Sequence, residues 1–563
     1  MTAARHDDPD VDVATGLDML LTDGALGPLR RMLPAAAGLR LAASLAGKPL
    51  TLTRHGVVLA AELAKIGVGA SEVAPHPKDK RYADPAWSGN PLLKALVQAH
   101  LAAGTTATGL VEDARLGWAD HERVRFAVTN VVDALAPSNS LLNPAAWRAA
   151  RETRGASVVS GIRRLVGDLS SPPRVPSMVE PDAFTVGEDV AATPGAVVLR
   201  TPVFELIQYL PQTERVREVP LLIVPPTINK YYVADLAPGR SIVENLVRDG
   251  QQVFLMSWRN PTAEHAGWDL DVYGQAILDA MDACEQISRQ SRTALMAFCS
   301  GGMITSMLLA HLAATGAQER VASVTFAVTV LDQEKAGTTG ALLDPATARS
   351  AVAASQRKGY LDGRTLAEVF AWLRPNDLIW SYWVNNYLTG RAPKAFDILF
   401  WNADTTRMTA GLHRDFIDIA LSNALVTPGA ASMLGTPVDL SKVDRDTYVI
   451  AGIADHLCAW QSCYRTTQLL GGVSRFVLST SGHIASMVNP PGNPKASFRV
   501  CADTPADPAV WLEEADTVQG SWWPDHAAWL AGRSGGEVDA PPELGGRGLH
   551  AILPAPGEYI LAR

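Results

Sequence analysis

At 563 residues the chain is too long for one ordinary hydrophobic core, so two or three domains are expected. A net charge of −9 offers no basic face for nucleic acid. Five cysteines (284, 299, 458, 463 and 501) with no CxxC pair exclude a disulfide framework and read as reduced thiols of a cytosolic protein.

The opening "MTAARHDDPDVDVATG" is acidic and polar, unlike a secretory signal. Residues 1–190 read as a mostly helical domain. Alanine and leucine recur at helical spacing through 24–70, 92–115 and 121–135, with loops such as "LAPSNSLLNP" between them. From 191 to 563 a second domain is expected, because the period changes. Short β-rich runs at 219–226, 251–258, 293–298 and 321–328 alternate with helix-like segments at 239–249, 269–290 and 303–315. That alternation predicts an α/β domain whose parallel sheet is covered on both faces.

From about 330 to 440 the alternation stops. The aromatic-rich "NDLIWSYWVNNYL" and "FDILFWNADTTRM" suggest an inserted helical cap. The sheet pattern returns at 446–452 and 474–479, and "SWWPDHAAWL" fits a terminal helix followed by irregular chain. The longest uncharged apolar region, 293–318, has the length of a membrane span. Its Ser-Gly-Gly break and strand-then-helix character argue against a transmembrane segment.

That same region, "TALMAFCSGGMITSML" (293–308), carries the chemistry. A strand ends in Cys299, small residues follow, and a helix resumes. In an α/β-hydrolase fold the nucleophile sits on such a turn, where the next amide, that of Ser300, and the helix N-terminus face a developing oxyanion. A helix N-terminus also lowers a thiol pKa. On this segment alone a buried structural thiol fits equally well. The partners shift the balance, because hydrolase-fold triads follow the order nucleophile, acid, histidine, on loops after late strands. Asp455 follows the strand ending near Gly452 and His483 follows the next one, which gives the triad Cys299–Asp455–His483.

His456 is an alternative base, but a neighbour of Asp455 cannot easily pair with it toward one nucleophile, so it reads as a supporting group. A zinc site from His456, Cys458 and Cys463 fits no common spacing and lacks a fourth ligand; no metal and no cofactor are expected. The loop "VPPTINKYY" after strand 219–224 is the place for a second oxyanion donor, a backbone N–H around Thr227–Ile228 braced by Asn229; a rigid turn without catalytic part is the alternative.

The ordered set "RYADPAWSGNPLLKAL", "LAPSNSLLNP", "PPTINKYY", "SWRNP", "CSGG", "DHLCAWQSCYR" and "SGHIASMVNPPGNPKASF" resembles the single-subunit polyhydroxyalkanoate synthases from about residue 80 almost to the end. The resemblance implies an α/β-hydrolase catalytic domain with a mobile cap, a helical N-terminal domain and a homodimer. It implies an acyltransferase that polymerises (R)-3-hydroxyacyl-CoA into polyester with release of CoA, through a cysteinyl thioester, at the surface of cytoplasmic granules. The family's nucleophile, acid and histidine fall on Cys299, Asp455 and His483. "FCSGG" and "NPPGNPKASF" lean toward the branch that takes medium-length side chains. Ala297 replaces a family glycine, and Ala459 stands where proline is usual before Trp460. A thioesterase or polyester depolymerase on the same scaffold, or a granule-coating protein without catalysis, are the rival readings.

Overall fold

The computed structural model describes residues 35–170, 173–334, 345–455 and 457–563; the acidic N-terminus and His456 lie outside them. The N-terminal region is built from helices α1 (Ala35–Ala46), α2 (Pro49–Gly67), α3 (Pro91–Ala114), α4 (Trp118–Ala134), α5 (Pro144–Glu152) and α6 (Ala156–Ser170). Two of them start on an Asn-Pro pair. The Asn90 side chain accepts from the amides of Leu92 and Leu93, and Asn143 from that of Ala145, while proline occupies the first helical position. These pairs satisfy amides that a helix start otherwise leaves unpaired, where proline has none to lose.

After residue 190 the chain forms an eleven-stranded mixed sheet. Its strands are β1 (Gly195–Arg200), β2 (Phe204–Tyr209), β3 (Leu221–Val224), β4 (Val253–Trp258), β5 (Thr293–Phe298), β6 (Val321–Ala327), β7 (Thr447–Gly452), β8 (Ser474–Ser479), β9 (Ser497–Val500), β10 (Asp516–Gln519) and β11 (Leu553–Pro554). They lie in the order β10-β9-β8-β7-β6-β5-β3-β4-β2-β1-β11. The centre, β4-β3-β5-β6-β7-β8, is parallel throughout. Antiparallel strands finish both edges. Every residue of β3, β4, β5 and β7 is buried, which is why these strands read as unbroken apolar runs. Helices α7 (Leu270–Ser288) and α8 (Ser300–Ala314) cross between parallel strands. This is an α/β-hydrolase fold, joined to a helical N-terminal region.

The apolar region 293–318 is β5 followed by α8, the strand and helix expected of it, and no helix among the described residues is long and apolar enough to cross a membrane. The C-terminal chain is less irregular than expected. After the helix Trp523–Ala531 it returns to pair β11 with β1 at the edge of the sheet.

Between β6 and β7 runs a helical segment with α9 (Pro345–Lys358), α10 (Gly363–Leu373), α11 (Asp397–Ala403) and α12 (Ala410–Ser422). Its aromatic side chains form a relay of edge contacts, Trp372–Trp380–Trp383–Tyr387, with ring centres 6.2, 6.0 and 5.2 Å apart. Trp383 Nε1 donates to the Asn139 carbonyl (3.1 Å) and the Tyr387 hydroxyl to Asp168 (2.7 Å). The aromatic run thus ties the segment to the N-terminal helices.

Candidate active site

Cys299 stands between β5 and α8 with φ 49° and ψ −117°. A residue with a Cβ is held in such a conformation at a cost of about 1–3 kcal/mol, so its surroundings must over-determine it. They do. The Cys299 amide donates to the Ala327 carbonyl at the end of β6 (3.0 Å), and the Cys299 carbonyl accepts from Gly302 (3.0 Å) and Met303 (3.2 Å). The two glycines have separate reasons. A Cβ on Gly301 would lie 2.4 Å from the Pro225 carbonyl oxygen, and one on Gly302 2.1 Å from Thr329 Oγ1. Their absence lets α8 press against the end of β3 on one side and the chain after β6 on the other. Ala297 sits one residue inside the strand end, fully buried and in register with Val224 and Phe326.

The loop after β3 is braced from several directions. Trp258 Nε1 donates to the Pro225 carbonyl (3.1 Å), Trp401 Nε1 to that of Lys230 (2.7 Å), and Thr406 Oγ1 to that of Ile228 (2.5 Å). Lys230 Nζ is buried and donates to the carbonyls of Ile560 and Ala562 near the C-terminus. Asn229, also buried, forms a backbone bridge with Thr405. Within the pair expected to supply the second donor, the Thr227 amide is engaged by Ser300 Oγ (2.9 Å), and the two hydroxyls are 3.1 Å apart. Thr227 therefore clamps the loop to the first turn of α8, which leaves the Ile228 and Ser300 amides as the donors to consider.

Asp455 lies just past β7, and its carboxylate is completely buried. Oδ1 accepts from the amides of Leu457 (2.8 Å) and Cys458 (2.9 Å), while Oδ2 meets His483 Nδ1 at 2.7 Å. His483 opens the one-turn helix His483–Met487. Trp522 Nε1 fixes that helix through the Ser486 carbonyl (2.7 Å) and Trp523 Nε1 through that of Met487 (3.0 Å). Gly452 lets the two loops meet, since a Cβ there would fall 2.5 Å from the Ser481 carbonyl oxygen. With Nδ1 on the carboxylate, Nε2 is the nitrogen left for the sulfur.

The structure thus brings Cys299, Asp455 and His483 together at the carboxyl end of the sheet. It adds a neighbour that spacing alone did not single out for this role, Cys458. One ligand-type atom from each of Cys299, Cys458 and His483 lies within 4.8 Å of the other two. Asp455 is responsible: by accepting the Leu457 and Cys458 amides it curls the loop back toward the sulfur. An Asp whose side chain caps amides two and three residues on was the available signal. These three groups are also the only described cluster of His, Cys and carboxylate donors with the proximity to hold a soft metal ion, and a metal there would occupy the sulfur itself. Cys463, one turn into the next helix, is fully buried.

The electrostatics favour a charged pair. The Cys458 thiol, outweighing burial, and then the His483 imidazolium and the Ser300 amide hold the Cys299 thiol well below its ordinary value. Burial opposes a charged His483, yet Asp455 and then Cys299 raise its pKa to about 10. Both shifts run in the direction of a Cys299 thiolate facing a His483 imidazolium. Such a site can attack an acyl carbonyl, hand a proton to a leaving group and take one from an incoming nucleophile.

Residues 78–246 match the family described as "Poly-beta-hydroxybutyrate polymerase (PhaC) N-terminus", and residues 220–490 match the alpha/beta hydrolase fold family. The chain is 43% identical over 515 residues to Poly(3-hydroxyalkanoate) polymerase 2 of Ectopseudomonas oleovorans, covering 92% of each chain. It is 44% identical over 516 residues to Poly(3-hydroxyalkanoate) polymerase 1 of the same organism, again 92% of each. With the Poly(3-hydroxyalkanoate) polymerase subunit PhaC of Cupriavidus necator it shares 40% identity over 504 residues, 88% of this chain and 85% of that one.

Proposed function

The chain belongs to the poly(3-hydroxyalkanoate) polymerase family, and from that premise we propose that it is an acyltransferase that polymerises (R)-3-hydroxyacyl-CoA into polyester and releases CoA through a thioester on Cys299. The observation that carries this reading is the buried Asp455–His483 pair at 2.7 Å, set beside the sulfur of Cys299.

Cys299 attacks the thioester carbonyl. The Ser300 and Ile228 amides receive the oxyanion, and CoA leaves with the proton held on His483. Exchange of one thioester for another keeps the acyl group activated, which a serine ester would not. His483, now neutral, takes the proton of an incoming 3-hydroxyl as that oxygen attacks the acyl-cysteine, with Asp455 orienting the imidazole and stabilising its cation. Repetition lengthens the chain. Polymerisation over hydrolysis requires water to be kept from the acyl-cysteine, a role we assign to the helical segment between β6 and β7 as a cap.

The polyester itself has a docking face on α6. Val159, Ile162, Val166 and Leu169 recur on one side of that helix and are all exposed, the array expected of a helix lying on the granule surface. The active form is a homodimer at that surface.

The deciding experiment measures CoA release by the purified chain from (R)-3-hydroxybutyryl-CoA and (R)-3-hydroxyoctanoyl-CoA, with the product sized and Cys299→Ala alongside. Long polyester is expected from the wild type, with release lowered about a thousandfold or more in the variant. Free hydroxy acid as the main product would make the protein a hydrolase, and release undiminished in the variant would remove Cys299 from the chemistry.

A further inference from the structure

The proposed reaction uses one thiol, yet two meet at its centre. Cys458 is buried, forms no bond and moves no proton in the acyl transfer derived above, and its ligand-type atom lies within 4.8 Å of those of both Cys299 and His483. Cys299 is itself partly open to solvent. Oxidation selects thiolates that are accessible to small oxidants, and a second thiol at this range converts an oxidised cysteine to a disulfide before further oxygen is added.

We propose that Cys458 is a resolving thiol for the nucleophile, so that a hydroperoxide reaching the site yields a reversible Cys299–Cys458 disulfide. The Cys299 sulfur attacks the peroxide, forming an S–O bond as the O–O bond breaks, and the departing alkoxide or hydroxide takes the proton of the His483 imidazolium. Cys299 is then a sulfenic acid and the imidazole is neutral. The Cys458 sulfur attacks the Cys299 sulfur, the S–S bond forms, and the hydroxyl leaves as water with the Cys458 proton relayed by His483. Two thiols have supplied two electrons to one peroxide, and a dithiol returns both.

The order of events is built into the pair. In the resting site Cys458 is held protonated, first by its hydrogen bond to the Cys299 thiolate and then by burial. Oxidation of Cys299 removes that thiolate, and with it the first reason for Cys458 to keep its proton. The neutral His483 is then at hand as a base.

This proposal rests on reading Cys299 as a reactive thiolate, and its test is read by mass rather than by polymerisation alone. The full-length protein is treated with hydrogen peroxide, and free thiols are then blocked. Half is digested without reductant, while the other half is incubated with dithiothreitol and assayed for CoA release. The expected wild-type product is lighter by two hydrogens, with a peptide linking Cys299 to Cys458, and an activity that is lost on oxidation and recovered on reduction. In Cys458→Val, compared with its own untreated activity, Cys299 should gain two or three oxygens and the loss should persist after dithiothreitol. Cys458→Ser, which keeps the size and polarity of the site, serves if the valine variant does not fold. Sulfinate or sulfonate on wild-type Cys299 without the link, a link from Cys458 to Cys463 instead, or equal recovery in the variants would overturn the proposal. A protein that forms the link but releases no CoA before oxidation would refute the polymerase reading and leave this one standing.

Discussion

Strand β5 and helix α6 are both rich in small and aliphatic side chains, and they place them in opposite directions. From Thr293 to Phe298 nothing in β5 reaches solvent, whereas on α6 Val159 is 70% exposed and Val166 62%. The face that α6 turns inward is mostly small and polar, with Leu165 half-buried on it. Ser157 and Gly161 are its buried residues, Ser160 Oγ donates to the Gly390 carbonyl (3.0 Å), and a Cβ on Gly161 would lie 2.0 Å from the Tyr387 carbonyl oxygen. Asp168 accepts from Tyr387 and Ser177. An ordinary amphipathic helix buries its aliphatic stripe; α6 buries its polar one. Hydrophobicity therefore marks what a segment meets, and for α6 the partner is not the core of this chain.

The largest effect expected from a single methyl group follows from that difference. Gly301→Ala in the elbow drives a Cβ into backbone, the Pro225 carbonyl, which cannot rotate aside as a side chain would. It should cost about 2–3 kcal/mol or more and displace the loop that carries Ile228. The same change at Gly56 in α2, where nothing lies within 4 Å, should be neutral or stabilise by up to ~1 kcal/mol through helix propensity. Apparent melting temperatures and CoA release of the two variants check both signs. A Gly301→Ala protein as stable and active as wild type would mean that the elbow is looser than its backbone contacts require.

How far the sequence speaks follows the same physics. β3 through β8 were legible because their buried positions are mostly apolar. The outer strands were not singled out. β10 is exposed at all four positions and reads "DTVQ", so it carries no burial signal. β1 and β2 pair antiparallel at the other side, with a register shift between Val197 and Leu199. At the site, Cys299, Asp455 and His483 were legible from chain order and strand ends. The engagement of Thr227 by Ser300 and the approach of Cys458 were not, because each depends on where a side-chain oxygen finds an amide after the loops have closed.

A smaller effect separates the charged pair from an ordinary buried thiol. Alkylation by iodoacetamide proceeds through the thiolate. A thiol with lowered pKa facing an imidazolium that persists toward pH 10 should react at a nearly constant rate from about pH 6.5 to 8. The rate should fall only as acid protonates the sulfur. Removing the cation by His483→Ala should make the rate climb across that interval, as for a thiol with an ordinary pKa of about 8.5. Coincident wild-type and variant profiles would show that His483 does not hold the sulfur ionised. Cys458→Val should move the profile in the same direction, because its thiol is the first of the groups that stabilise the thiolate.

The smallest change in stability, and the clearest contrast with the elbow, is expected on α6. Ile162→Ser and Val166→Ser together alter side chains that are more than half exposed, so the apparent melting temperature should stay within the range of surface substitutions, about 0.5 kcal/mol for each. Retention on isolated polyester granules is a different quantity. Each aliphatic side chain buried against a hydrocarbon-rich surface contributes roughly 1.5–3 kcal/mol, so losing two should lower the bound fraction by about a hundredfold or more when binding is not saturated. Co-sedimentation with granules over a range of protein concentration reads this directly, and salt should not rescue the double variant, since the lost interaction is apolar. A marked fall in melting temperature with unchanged retention would place the stripe against protein, in this chain or a second copy. The inverted helix would then be an interface between proteins and not a surface held for the polymer.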